Sequence, residues 1–188
     1  MKTATSARLE QFLSRRPTLV GIGSRWHGDD AAGPAVIARV SGRVETRCVD
    51  AGDAPERHLG EAAGARGEAV LLLDAVDFGG RPGEMALFTA DELSGKLATT
   101  HTSSLGLLMR YLGAQSGAEV LLLGIQPDSI AFGQPMSASV RESVAVISDL
   151  LEKRLALPSH VWSRRSQAER PQASTELSGE GVEDTPWR

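Results

Sequence analysis

Aromatic residues make up only 4% of this 188-residue chain, cysteine occurs once, and no apolar run is long. Each scarcity excludes something. With so few aromatics, the core has to be aliphatic, built from the valine, leucine, isoleucine and alanine within the 41% apolar fraction. A lone Cys48 excludes an intrachain disulfide and fits a reducing cytoplasm. Its expected role is that of a small buried hydrophobe on a strand rather than a reactive thiol. The longest apolar stretches, AVLLL and VLLLG, fall far short of the roughly 20 residues that span a bilayer, and no secretory pattern opens the chain. Net charge is −4 without a dense basic block, which argues against a nucleic-acid partner. HExxH, CxxC and Gly-x-Ser-x-Gly are missing, so no ready-made zinc, redox or serine-nucleophile signature is present.

What is present is alternation. TLVGIG after Pro17 reads as a first strand, and PAVIARV spaces Val36, Ile37 and Val40 along one helical face. VETRCVD follows as a second strand, then a weak amphipathic helix over 55–65. EAVLLLDAVD has the near-continuous apolar character of a parallel strand covered on both faces. EMALFTA reads as a short strand, with a polar connection after it, and AEVLLLGI as another buried strand. Between them TTHTSSLGLLMRYLG repeats Leu105, Leu108 and Leu112 at helical spacing, with Gly113 as the expected C-cap. Residues 138–154 put Val140, Val144, Ile147 and Leu151 on one stripe behind a capping serine. The pattern predicts a three-layer α/β/α sandwich with a mainly parallel, roughly five-stranded twisted sheet. The expected division is an N-terminal extension over 1–16 with at most a short helix, a folded domain over 17–157, and a polar, disordered tail over 158–188.

The chemistry gathers after the strands. GIGSRWHGDDAAG, residues 21–33, has the outline of a dinucleotide-binding turn, but Trp26 stands where the third glycine belongs. Its aspartates also oppose a phosphate at a helix N-terminus, so a nucleotide is a poor fit. Asp29 and Asp30 follow the first strand, Asp50 and Asp53 the second, Asp74 and Asp77 the third. His101 precedes the long helix, and Gln126 and Asp128 follow the last strand. In an open α/β sheet, sites form at these carboxyl ends. One of Asp29 and Asp30 suits a helix cap. The other, with Asp74 and His101, makes a mixed oxygen and nitrogen set suited to nickel or zinc. Asp74 has to be paired or to emerge from the sheet, because it follows a run of apolar strand residues. His27 and His58 are read as surface residues.

These residues resemble a known family, the maturation endopeptidases of nickel–iron hydrogenases. The matching stretches are LVGIGSRWHGDDAAG, CVDAGDAPE, LLLDAVDFGGRPGE, and TTHTSSLGLLMRYL followed by LLLGIQPDSIAFGQPMS, spread over about residues 18–154. The TTH and GIQP segments are especially similar to members that serve hydrogenases of the formate-hydrogenlyase type. The loop departs from the family pattern in Ser24 for asparagine, Ala31 for glycine and Trp26 for a smaller aliphatic residue.

The resemblance implies an endopeptidase that trims the C-terminus of a hydrogenase large-subunit precursor after nickel insertion. It assigns metal binding and catalysis to Asp30, Asp74 and His101, with nickel recognised in the precursor rather than kept as a permanent cofactor. Asp29 is then a cap or an aid to water, while Asp53 and Asp77 line the cleft. The attacking water would be activated by the metal or by a carboxylate, and the acid-built site is expected to be of aspartyl-protease type. The implied setting is cytoplasmic, with the precursor as partner, no membrane, and a monomer when free. Two other readings stay open: a non-catalytic chaperone of the large subunit, and an unrelated metal-dependent hydrolase on a similar scaffold.

Overall fold

The apolar run that opens at Ala69 becomes the central strand, buried along its whole length. A computed structural model describes residues 3–63, 69–96 and 100–156, with the side chains of residues 3, 4, 94–96 and 100–103 outside that description. The sheet contains β1 (Thr18–Ile22), β2 (Cys48–Gly52), β3 (Ala69–Ala75), β4 (Met85–Phe88) and β5 (Glu119–Ile125), in the order β2-β1-β3-β5-β4. β1 pairs in parallel with β2 and β3, and β3 in parallel with β5. β4 is antiparallel to β5, with Met85 opposite Ile125. The chain turns back from the top of β3 without a crossover helix, so β4 has to run downward.

Helices cover both faces. α1 (Thr3–Leu13), α2 (Ala32–Val40) and α6 (Ala138–Leu155) pack on one side, α3 (Leu59–Ala62), α4 (Ala90–Lys96) and α5 (Thr100–Ser116) on the other. Successive strand residues divide between the layers as period two demands. Leu71 and Leu73 join the layer of α2 and α6, whereas Val70 and Leu72 join that of α5. The α6 stripe is buried as its spacing requires, and Ser137 caps the helix by accepting the Val140 N–H. Burial without a hydrogen-bonding partner that favours the thiolate pushes the Cys48 thiol up to about 11, which suits a packing role on β2.

Four local expectations change. The first segment forms an 11-residue helix and contributes Leu9, Phe12 and Leu13 to the core. The polar connection after β4 holds α4, whose Leu93 is fully buried. The helix expected over 55–65 shortens to a 3-10 turn at Pro55–His58 followed by α3. α5 runs past Gly113 to Ser116, and Gly117, at φ 68°, ends it with its N–H on the Gly113 carbonyl at 2.9 Å. Residues 158–188, expected to be a disordered tail, lie outside the described residues.

α2 approaches the sheet closely enough to need glycine. A Cβ on Gly33 would stand 2.2 Å from the Leu73 carbonyl oxygen and 2.4 Å from that of Ile22. Alanine ordinarily favours a helix, so the sign of a substitution here separates packing from propensity. Gly33→Ala is expected to lower stability by about 3 kcal/mol through overpacking. Gly60→Ala, with nothing within 4 Å, should change little. Thermal unfolding of the two variants checks this, and equal melting temperatures would contradict it.

Candidate active site

The strand order reverses between β1 and β3. From β1 the chain moves outward to β2, then returns to the other side of β1 as β3. The loops leaving these neighbours diverge and open a crevice at their carboxyl ends. A cavity of about 950 Å³ lies there. Asp30, Asp53, Glu56 and Asp77 line it, with Leu105, Leu107, Leu108 and Tyr111 from α5, and no lysine or arginine is among its described lining residues.

The β1 loop is folded around its own polar groups. Gly23 has φ 124°, and a Cβ there would fall 1.9 Å from the Asp30 carbonyl oxygen. Ser24 is buried, and its N–H donates to Asp30 Oδ2 at 2.6 Å. Ser24 Oγ lies 2.9 Å from His27 Nδ1 and accepts the Trp26 N–H at 3.4 Å. The short serine therefore still organises the turn from the position where the resemblance leads one to expect asparagine. His27, read from sequence as a surface residue, lines the cavity and meets the Phe132 ring edge-on at 5.3 Å. The Ser24-x-x-His27 spacing inside a glycine-bounded turn was the available signal.

The paired aspartates have separate tasks. Asp29 is fully buried, and its carboxylate crosses to the β5–α6 loop. Oδ2 accepts the N–H groups of Asp128 at 2.8 Å and Ser129 at 3.2 Å, and Oδ1 accepts that of Ser137 at 2.6 Å. Burial raises its pKa, but the N–H groups of Ser137, Asp128 and Ser129 outweigh it and hold the carboxyl below its ordinary value. Asp29 thus caps neither the 3-10 turn Gly28–Ala31 nor α2, and it is sealed from the water it was expected to assist. Asp30 keeps its carboxylate at the cavity.

Asp74 is buried at the end of β3, with Oδ1 accepting the Ala75 N–H at 2.7 Å. By strand alternation it shares a face with Val70 and Leu72, which pack toward α5. His101 is the second residue of α5, and its side chain lies outside the described residues. Among the described residues no three metal-ligating side chains form one group. Asp77 is fixed from two directions: Gln126 Nε2 donates to Oδ1 at 3.0 Å, and the Gly79 N–H at 3.1 Å. Those two bonds, the first the stronger influence, lower its pKa. Buried Gln126 also accepts the N–H groups of Phe78 and Gly80, so one side chain shapes the β3–β4 loop. Asp50 is paired with Arg25.

The family model described as HycI, hydrogenase maturation protease, matches residues 36–154. The chain belongs to this family. It is 33% identical to the hydrogenase 3 maturation protease of Escherichia coli K12 over 137 residues, covering 71% of this chain and 87% of that protein. Its fold is similar to a [NiFe] hydrogenase maturation protease, HycI, of Thermococcus kodakarensis, with a TM-score of 0.71 and 29% identity over 79% of this chain and 98% of the other. The solution structure of the endopeptidase HycI from Escherichia coli gives a TM-score of 0.66 and 31% identity, over 73% and 89% of the two chains. These likenesses bear out the family, its formate-hydrogenlyase-type branch, the α/β fold and an endopeptidase activity. They overturn the aspartyl-protease expectation, since the relatives are maturation proteases of the HycI type. The geometry gives a physical reason. Aspartyl chemistry needs two carboxylates sharing one proton. Asp29 is consumed by three N–H groups instead, so it shares no proton with neighbouring Asp30.

Asp29→Asn keeps the shape and removes the charge, at an expected cost of about 2–3 kcal/mol at neutral pH. Folding lowers this carboxyl's pKa, so its stabilisation is fully present above the unfolded value near about 4 and is lost as pH falls through the folded one. Urea unfolding at stepped pH should show a gap between wild type and variant that is level above about pH 5 and narrows below about pH 4. A gap that ignores pH would contradict the assignment.

Proposed function

We propose that this chain removes the C-terminal peptide from the large-subunit precursor of a nickel–iron hydrogenase once nickel is in place, with Asp30, Asp74 and His101 as the residues that meet nickel and substrate. The observation that carries the reading is the position of two acids at the carboxyl ends of adjacent strands, at the switch point. Asp30 follows β1 and lines a cavity large enough for a peptide segment, and Asp74 stands one residue before the end of neighbouring β3, buried and not among that cavity's described lining residues. Carboxylate oxygens and an imidazole nitrogen suit a borderline divalent ion such as nickel. Asp74, on the face turned to α5, and His101, in the first turn of that helix, belong to the same side of the sheet.

The nickel belongs to the substrate, and these residues offer it further ligands so that only loaded precursor is held in cleavage geometry. The cavity's carboxylates favour a positively charged segment beside the scissile bond. Asp29 is no candidate for general base, because it is sealed and saturated. Asp77, with its pKa lowered, is a weak one. Asp30, held by the Ser24 N–H at the cavity, is the acid assigned to face substrate and orient the water that attacks the peptide carbonyl. The reading places the reaction in the cytoplasm, whose reducing conditions suit a chain with a single cysteine.

The test is the intact mass of a co-expressed large-subunit precursor, with and without this chain and with nickel supplied or withheld. Loss of one C-terminal peptide only when chain and nickel are both present is expected. Asp74→Asn should lower the processing rate by about 100-fold or more. Cleavage without nickel would overturn the gating. A stable complex without any mass change would favour the chaperone instead.

A further inference from the structure

Six large hydrophobic side chains are exposed among the described residues, and five of them, Trp26 at 71%, Leu107 at 70%, Tyr111 at 46%, Ile130 at 57% and Phe132 at 76%, lie in the cavity, against one of its residues or in the pocket adjoining it. Leu107, Tyr111 and Ile130 line the cavity itself. Phe132 stands against the cavity residue His27, and Trp26 belongs to the same turn. Scattered exposed apolar residues need no explanation, but a set gathered at one mouth does.

We propose that Trp26, Ile130 and Phe132 form an apolar docking rim that binds the precursor segment beside the scissile bond, and that Asp29 is the positioning residue that holds this rim in place. The inference rests on the endopeptidase reading and names how that site takes its partner. The rim consists of two loops tied together. The Gly133 N–H donates to the Trp26 carbonyl at 2.8 Å, and the Asp29 N–H donates to the Ser129 carbonyl at 2.9 Å. The Asp29 carboxylate adds its three bonds to Asp128, Ser129 and Ser137 on either side of Ile130 and Phe132. Loops held this firmly present their side chains with little ordering left to do on binding.

The occupant is a polypeptide segment with apolar side chains next to positive charge. Apolar side chains meet the rim, and positive charge meets the cavity floor, whose described lining includes Asp30, Asp53, Glu56 and Asp77 and no lysine or arginine, the nearby Arg25 and Arg57 lining the adjoining pocket instead. Ile130 lines the same cavity as that floor, Phe132 stands against its His27, and Trp26 lines the adjoining pocket that shares Gly23, Ser24 and Asp53 with it, so one extended segment can contact both.

Steady-state processing of nickel-loaded precursor by the full chain tests the rim. The exposed double variant Trp26→Ser/Phe132→Ser should raise KM by roughly tenfold, with a much smaller change in kcat. Trp26→Phe/Phe132→Tyr, which keeps both rings, should restore KM. Asp29→Asn should also raise KM and speed amide exchange at Ser129 and Ser137. An unchanged KM in the serine double variant overturns the rim. A fall in kcat at constant KM also overturns it, since the residues would then act in the chemistry. Loss of self-association in sedimentation, without a change in KM, would assign the surface to a second copy of the chain. If Asp29→Asn shifts only the melting temperature, its positioning role falls. Failure of the wild-type chain to cut any precursor would instead remove the endopeptidase reading, and the rim with it.

Discussion

A carboxylate sealed from water and bonded to three backbone N–H groups joins the two loops that make the cleft. Asp29 leaves the β1 turn and satisfies Asp128, Ser129 and Ser137 across the sheet's upper edge. An unpaired buried charge would be heavily penalised, so these contacts have to be made together. Because Asp30 is the next residue, the contact that secures the far loop also fixes the acid that faces the cavity. Ser24 completes the arrangement by donating its N–H to Asp30, so the neighbouring acids are held from opposite directions.

The sheet supplies the rest. Parallel β1 and β3 deliver their following loops to one edge, and the reversal of strand order between them leaves the opening. α2 lies close against these strands because Gly33 carries no side chain, which brings the acid-bearing turn down onto the strand ends. Gln126 performs a similar service on the other flank, tying the β3–β4 loop and Asp77 to the end of β5. Acids at the floor and apolar groups at the mouth are therefore consequences of loop placement on an ordinary doubly covered sheet.

Much of this was legible in the residues, for physical reasons that differ by element. β3 was readable because burial on both faces demands a continuous apolar run, and α6 because one buried stripe demands helical spacing. The direction of β4 was not, since it depends on where the preceding turn delivers the chain. α4 was hidden because one buried leucine in a polar segment leaves no period to detect. The acids after β1 and β3 were legible as strand-terminal carboxylates, and the resemblance then selected Asp30 and Asp74. The division of labour between Asp29 and Asp30 was not accessible. The groups that Asp29 binds lie 99, 100 and 108 residues away, and nothing local to the turn reports them.

The central claim is that adjacent aspartates divide the work, Asp29 holding the cleft and Asp30 serving the reaction. Melting temperature and precursor processing, measured side by side for Asp29→Asn and Asp30→Asn, test it most directly. The account predicts that Asp30→Asn melts close to wild type and no longer processes the precursor. Asp29→Asn should melt lower yet keep residual processing at temperatures where it remains folded. Unimpaired processing by Asp30→Asn, or an Asp29→Asn protein that is fully stable but inactive, would contradict the division.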